Sequence, residues 1–149
     1  MNRFYVVAQF ALIGLFAAAV FLMPPAVPPA SDPARLAGLA VCGVGLAIIV
    51  AALAAMGRVM QVAPEPRADG HLITRGVYRW LRHPMYTGMT LVIAGLALRQ
   101  PTFYVALSGV ALFVLVFAKS RFEERLLAAR YPDYDAYRRR TWGVIPPFR

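Results

Sequence analysis

Four stretches of the chain are almost purely apolar, and short polar segments separate them. The first two cover residues 4–23 and 34–56, and the second contains a single charge, Arg35, near its start. An α-helix rises about 1.5 Å per residue, so each stretch is long enough to cross a hydrocarbon core about 30 Å thick. We predict one transmembrane helix for each.

The third and fourth apolar stretches, residues 85–98 and 102–118, are shorter. As helices they would extend about 21 Å and about 26 Å. Arg99-Gln100-Pro101 separates them, and proline cannot continue a helix. We predict a helical hairpin whose first helix is short, tilted or begins within the headgroup region.

The composition agrees with a membrane protein. Apolar residues make up 60% of the 149-residue chain, and the mean hydropathy is +0.58, whereas soluble domains are about 45–50% apolar. We predict an all-α integral membrane protein with four transmembrane helices and a cytoplasmic C-terminal amphipathic helix and tail. The alternative for the first stretch is a cleaved signal peptide, but the stretch is too long for one, and Pro24-Pro25 follows it instead of a small-residue cleavage site.

The basic residues indicate the orientation. They concentrate between the second and third stretches and after the fourth, whereas the other two connections carry only Asp32, Arg35 and Arg99. The positive-inside rule therefore places both termini and the middle loop in the cytoplasm, and we expect the inner membrane of a prokaryote. The net charge of +9 is explained by this topology and by anionic headgroups, so we predict membrane lipids and no nucleic acid as partners.

Several classes of site are missing from the sequence. Cys42 is the only cysteine, and His71 and His83 have no neighbours at metal-ligand spacing, so we predict no metal. The chain also has no glycine-rich phosphate loop and no Gly-x-Ser-x-Gly nucleophile turn. A hydrolase is not indicated.

Two polar segments remain on the cytoplasmic side, residues 69–88 and 119–140. In the first, Pro84 disfavours helical geometry at His83 and is well tolerated in the first turn of a helix. His83 should therefore stand at a helix entrance, where unpaired backbone N–H groups suit a carboxylate. Tyr78 and Tyr86 could converge there, although single tyrosines are also common as membrane-interface anchors.

The second segment contains two adjacent carboxylates, Glu123 and Glu124. Helical neighbours differ by about 100°, so the two cannot point the same way, and at least one can face inward. The alternative is a surface pair with Arg121, but such exposed helix pairs stabilise by only about 0.2–0.5 kcal/mol. An inward carboxylate could hold a cation or a pair of hydroxyls.

The two segments together carry a family resemblance. "GVYRWLRHPMYTG", followed by "RFEERLLAARYPDYDAYRRRTWGVIPPF", closely resembles the C-terminal half of the isoprenylcysteine carboxyl methyltransferase family and, more loosely, the phospholipid N-methyltransferases. The match covers about residues 61–149. The resemblance implies a single membrane methyltransferase domain over 1–149, with two N-terminal helices in 1–60 and a cofactor-binding half in 61–149.

The resemblance also implies S-adenosylmethionine as the cofactor, in a pocket open to the cytoplasm. Carried over by position, the implied cofactor-binding residues are Leu72, Ile73, Tyr78, His83, Pro84, Met85, Tyr86, Glu123 and Glu124, and a change of loop length would add Gln61. Arg121 matches an arginine near the glutamates and is the implied catalytic residue, holding an acceptor carboxylate by bidentate contacts. A shift of the alignment would give that place to Lys119.

The acceptor remains open at this point. The family name implies a lipophilic acceptor such as an isoprenylcysteine carboxylate, and the alternative within the class is a phospholipid amine. An NADPH-dependent reductase related to sterol reductases is the next alternative, because those enzymes share an Arg-His-Pro-x-Tyr segment. A transporter or non-catalytic subunit is the last, and transporters usually carry an ionisable residue in mid-membrane.

The oligomeric state is also open. Gly38, Gly45 and Ala52 recur every seven residues along the second apolar stretch. Small residues on one face allow a close approach to another helix, either within a monomer or between chains.

Overall fold

A computed structural model of the protein describes residues 2–22, 32–57 and 72–146. Its helices are α1 (Asn2–Leu22), α2 (Asp32–Met56), α3 (Pro84–Arg99), α4 (Phe103–Arg130) and α5 (Tyr134–Arg140), with a 3-10 turn at Gly76–Arg79. All of the helices and turns in these ranges agree with the all-α prediction, which is confirmed.

Three helices are long and apolar enough to cross a membrane by length and composition: α1, α2 and α4. Their outward faces expose large apolar side chains, including Phe21, Leu36 and Val110, as lipid contact requires. The chain is an integral membrane protein. Helix α3 has 16 residues and extends about 24 Å, which is shorter than the hydrocarbon core, so the number of four crossings stays a prediction. The cytoplasmic orientation of the termini is also a prediction.

Helix α4 is longer than the apolar pattern predicted. The pattern ended at residue 118, but the helix continues to Arg130 without a break, because the added segment is rich in Arg, Glu, Leu and Ala, which favour helix. Thr102 caps its start by accepting a hydrogen bond from Val105 N at 3.2 Å. One continuous helix therefore carries both the apolar span and the two adjacent glutamates.

Helices α2 and α3 cross with their backbones nearly in contact. A Cβ atom added to Gly38 would stand 2.5 Å from the Gly95 carbonyl oxygen, and one added to Gly45 would stand 2.6 Å from that of Gly88. Such distances leave no room for a side chain. The small-residue face of α2 thus meets α3 within one chain, which confirms that it allows a close helix approach.

The other helix pair, α1 and α4, encloses the buried core together with one face of α3. The core consists of Phe16, Ala19, Ile93, Val105, Leu112 and Val116. Helix α3 makes its most extensive contacts with α2 and much smaller ones with α4. The predicted hairpin of α3 and α4 stays a prediction, and the glycines of α2 decide which helix α3 packs against most closely.

The α2–α3 crossing can be tested with two glycines of the same helix. Gly45→Ala should destabilise the protein by about 1–3 kcal/mol, the usual cost of overpacking, because its Cβ would meet the α3 backbone. A thermal unfolding curve in detergent measures this effect. Gly43→Ala is the control, since a Cβ there meets nothing within 4 Å, and equal melting temperatures for the two variants would contradict the proposed crossing.

Candidate functional site

The loop before α3 is fixed to the end of α2. Gly76 has a positive φ of 58°, which glycine adopts without strain, and a Cβ on it would stand 3.1 Å from that of Ala55. The side chain of Arg75 donates from Nε to the Ala55 carbonyl at 3.2 Å. The 3-10 turn is thereby held against α2, and Tyr78 lies within it, half-buried.

His83 and Pro84 form the start of α3 as predicted. His83 is the N-cap residue with φ −126° and ψ 58°, and Pro84 occupies the first turn. The His83 carbonyl accepts hydrogen bonds from the backbone N–H groups of Tyr86 and Thr87 at 3.0 and 2.9 Å. The imidazole is buried and turns toward α4.

Both glutamates of α4 reach this imidazole. Glu124 Oε1 lies 3.3 Å from His83 Nε2, and Glu123 Oε2 lies 3.7 Å from Nδ1. The two side chains differ in direction as the helical geometry requires, yet both lie on the His83 side, because the ring presents its two nitrogens to different parts of α4. The expectation that at least one carboxylate faces inward therefore agrees with the position of both glutamates beside His83.

Tyr86 completes the cluster. Its hydroxyl donates to Glu123 Oε1 at 2.6 Å, and its ring stacks on the imidazole of His83 with centroids 5.6 Å apart. Tyr86 lies one turn into α3, so it projects from the same helix end as His83. We call the set of His83, Tyr86, Glu123 and Glu124 the imidazole–carboxylate cluster.

Arg82 is the main counter-charge of this cluster. Its side chain is 1% exposed and donates from Nε to Glu124 Oε1 at 2.9 Å. Its Nη1 donates to two carbonyl oxygens of the C-terminal segment, those of Arg138 and Thr141, at 2.9 and 2.5 Å. One guanidinium therefore joins the loop before α3, the end of α4 and the segment after α5.

The segment after α5 returns along the same loop. Trp142 exchanges backbone hydrogen bonds with it, donating to the Trp80 carbonyl at 2.9 Å and accepting from Arg82 N–H at 2.8 Å. The Thr87 hydroxyl donates to the Val144 carbonyl at 2.7 Å. The C-terminal segment thus covers the outer side of the Arg82–Glu124 pair.

Three tyrosines surround this part of the site. The Tyr137 hydroxyl donates to the Tyr78 carbonyl at 2.8 Å. Burial, assisted by the Glu123 carboxylate, raises the pKa of Tyr78 to about 12. Burial also raises the pKa values of Tyr134 and Tyr137. All three hydroxyls therefore stay protonated at neutral pH, and the Tyr134 hydroxyl is buried without a hydrogen-bond partner among the described residues.

Lys119 approaches the cluster from the other side. It is 1% exposed, its ammonium donates to Gln9 Oε1 of α1 at 2.8 Å, and it lies 5.5 Å from the centroid of the Tyr86 ring. Arg121, by contrast, has a 49% exposed side chain and lies 3.5 Å from Glu124 Oε2. The two alternatives for one alignment position therefore occupy different environments.

The structure brings only part of the predicted set together. His83, Tyr86, Glu123 and Glu124 contact one another, and Tyr78 lies within electrostatic reach of Glu123. Pro84 is buried, whereas Leu72, Ile73 and Met85 are half-buried without a direct role in the cluster, and Gln61 lies outside the described residues.

The sequence did not predict three residues of the site, Arg82, Gln9 and Tyr137. Of these, Gln9 could have been recognised, because it is a lone amide in the apolar run of α1. Metal-ligand residues form no group of three or more within the described ranges.

The fold is that of an intramembrane methyltransferase. It matches the solved structure of the eukaryotic intramembrane Ras methyltransferase, isoprenylcysteine carboxyl methyltransferase, with a TM-score of 0.70 and 25% sequence identity over 99% of this chain and 54% of that one. The family model of the phospholipid methyltransferases matches residues 33–134. The chain belongs to the phospholipid methyltransferase family.

Two curated bacterial proteins are also similar. The chain is 32% identical over 103 residues to the cobalt-zinc-cadmium resistance protein CzcN of Cupriavidus metallidurans, covering 68% of this chain and 48% of that protein. It is 33% identical over 81 residues to the nickel-cobalt-cadmium resistance protein NccN of Alcaligenes xylosoxydans xylosoxydans, covering 54% of this chain and 38% of that protein. The chain spans about half the length, or less, of these relatives.

The structural role of Arg82 can be tested with Arg79, which lies in the nearby 3-10 turn, as the control. Arg82→Gln should destabilise the protein by about 3–5 kcal/mol, because it leaves the buried Glu124 carboxylate without its main partner. Thermal unfolding and protease cleavage of the C-terminal segment would report the loss. Arg79→Gln removes an exposed charge nearby and should leave both readings unchanged, and an equally stable Arg82→Gln protein would disprove the structural role of the pair.

Proposed function

We propose that the protein is an S-adenosylmethionine-dependent methyltransferase that methylates a lipophilic acceptor at the cytoplasmic surface of the membrane. The observation that carries the proposal is the imidazole–carboxylate cluster, which joins the start of α3 to the end of α4. Its members all lie inside the range matched by the phospholipid methyltransferase family. The similarity to isoprenylcysteine carboxyl methyltransferase over nearly the whole chain supports it further.

The residues of the cluster fit the cofactor. S-adenosylmethionine carries an ammonium group and ribose hydroxyls, which need carboxylate acceptors. Glu123 is suited to this task, because its side chain is 16% exposed and its Oε2 lies 3.7 Å from His83 Nδ1, which is beyond hydrogen-bonding distance. A donor of the cofactor could therefore bind at Oε2 while Tyr86 holds Oε1.

Glu124 has a different role in this proposal. Its carboxylate already receives Arg82 at 2.9 Å, and Arg121 lies 3.5 Å from it. It is therefore the anchor that keeps His83 and the end of α4 in place, and Glu123 is the glutamate that binds the cofactor. This assigns different functions to two adjacent residues of the same type.

The remaining predicted residues fit the other parts of the cofactor. Tyr78 offers a ring face for its cationic groups, Tyr86 holds the Glu123 carboxylate through its hydroxyl, and Leu72 and Ile73 offer apolar surface for the adenine. These four residues lie in or beside the loop that α2 holds in place. Residues 61–149 remain the proposed cofactor-binding half of the domain.

The chemistry makes small demands on the protein. The cofactor supplies a methyl group already activated by its sulfonium. An acceptor carboxylate is ionised at neutral pH and needs no base, so the chain has to orient the acceptor and exclude water. Arg121, half-exposed at the end of α4, is the proposed group that holds an acceptor carboxylate by bidentate contacts.

A phospholipid amine is the second candidate acceptor, and the description of the matched family favours it. An ammonium group has to lose a proton before it can accept a methyl group. His83 is the imidazole within the cluster that would have to take this proton, but its two nitrogens face Glu124 and Glu123. We therefore favour the carboxylate acceptor, for which no base is required.

The cofactor can be tested by calorimetric titration of the detergent-purified protein. We expect S-adenosylmethionine and S-adenosylhomocysteine to bind with micromolar affinity, about −8 kcal/mol, and NADPH not to bind. Glu123→Gln should weaken binding about tenfold or more, because a charge-assisted hydrogen bond is lost.

Asp135→Asn is the matched control for that titration. It removes an exposed carboxylate of α5 and should bind like the unmodified protein. Binding of NADPH alone would support the reductase alternative, and unchanged affinity in a folded Glu123→Gln protein would remove Glu123 from the site.

The acceptor can be tested with a radiolabelled methyl group and two acceptor sets, prenylated cysteine carboxylates and phosphatidylethanolamine vesicles. We expect methylation of the carboxylates, and Arg121→Gln should raise the acceptor KM about tenfold without changing cofactor affinity. Arg125→Gln alters an exposed arginine one turn later and should have little effect. Methylation of the amine alone would replace the carboxylate assignment.

A further inference from the structure

The buried ammonium of Lys119 is not explained by the function proposed above. Lys119 is the only lysine of the chain, which otherwise uses arginine for its positive charges. It is 1% exposed, and its ammonium contacts the amide of Gln9 and the ring of Tyr86. Both residues lie on other helices, α1 and α3.

Stability alone does not account for this arrangement. Removing an ammonium from water costs several kcal/mol, and replacing buried ionic groups by well-packed apolar residues is often neutral or stabilising. Helices α1 and α4 already share an apolar core that includes Phe16 and Val116. A leucine or methionine at position 119 would hold the two helices together at a lower cost.

The contacts of Lys119 lead to the proposed cofactor-binding carboxylate. The ammonium lies over the face of Tyr86, an arrangement that restrains the ring. The Tyr86 hydroxyl in turn holds Glu123 at 2.6 Å. The charge of Lys119 also acts favourably on the Glu123 carboxylate.

The amide of Gln9 determines where this ammonium lies. Gln9 is 8% exposed, and its oxygen receives Lys119 at 2.8 Å. An ammonium has three donors and suits a small set of partners, whereas a guanidinium would bring five donors into the same space. Gln9 belongs to α1, which lies outside the range matched by the family model, 33–134.

We propose that Gln9 and Lys119 are positioning residues of the site, which fix the Tyr86 ring and the Glu123 carboxylate for cofactor binding. This inference rests on the proposed function. It makes α1 part of the binding machinery, through a chain of contacts from Gln9 to Lys119, Tyr86 and Glu123.

Lysine labelling provides a test that does not need the cofactor. Since Lys119 is the only lysine, protein labelled with [15N]lysine gives one side-chain nitrogen signal in NMR spectra. We expect Gln9→Leu, Tyr86→Leu and Glu123→Gln each to shift this signal in the ligand-free protein. A signal that responds to Gln9→Leu but to neither of the other two would overturn the proposal.

Cofactor affinity provides the second readout. Lys119→Met and Gln9→Leu should each weaken S-adenosylmethionine binding about tenfold in calorimetry. The melting temperature of Lys119→Met should stay equal or rise, because this change removes the buried charge itself. Lys119→Arg, which keeps the charge, should recover part of the loss. Ser108→Ala is the control, because it removes a buried hydroxyl of α4 that donates to backbone carbonyls in its own helix.

The outcomes separate the two proposals. Lower melting temperatures with unchanged cofactor affinity would make Gln9 and Lys119 a purely structural link and overturn the inference. If the unmodified protein binds no S-adenosylmethionine, the proposed function fails, and the ligand-free lysine signal alone decides whether the pair positions Tyr86 and Glu123.

Discussion

The buried pair of Arg82 and Glu124 is the interaction on which the rest of the site depends. It joins residues 42 positions apart, and Arg82 also binds two carbonyl groups of the C-terminal segment. A buried carboxylate is tolerated only when its charge is compensated and its oxygens are hydrogen-bonded. The loop before α3, the end of α4 and the C-terminal segment must therefore be correctly positioned relative to one another. Only then can His83 and Tyr86 contact the glutamates.

The packing of the apolar helices determines the relative positions of these segments. Close contact between glycines of α2 and α3 sets the position of α3 along α2, and Arg75 fixes the preceding loop to the Ala55 carbonyl at the end of α2. His83 is consequently held from both sides, by the loop and by the helix that it caps. Because α4 continues as one helix from its apolar span to Arg130, the glutamates are held equally firmly.

The local parts of this arrangement could be predicted from the sequence, and the long-range parts could not. The start of α3 follows from the backbone limits of Pro84, and the small-residue face of α2 follows from the spacing of its glycines. By contrast, Gln9 and Lys119 are 110 residues apart, and the apolar pattern ended the fourth stretch before Lys119. Arg82 and the exposed Arg79 look alike in the sequence. Arg82 is buried because the segment after α5 folds back against it, and the local sequence does not show this long-range contact.

The two halves of the bundle contribute to the site in different ways. The cluster of His83, Tyr86, Glu123 and Glu124 lies within the family match, whereas α1 lies outside it and reaches the cluster through Gln9. A helix that only filled the membrane would need no amide at a buried position, since lipid and apolar side chains satisfy it equally well. The amide of Gln9 therefore indicates that α1 does more than fill the membrane. If relatives differ in the acceptor that they methylate, the residues responsible should be sought in the part of the chain outside the family match.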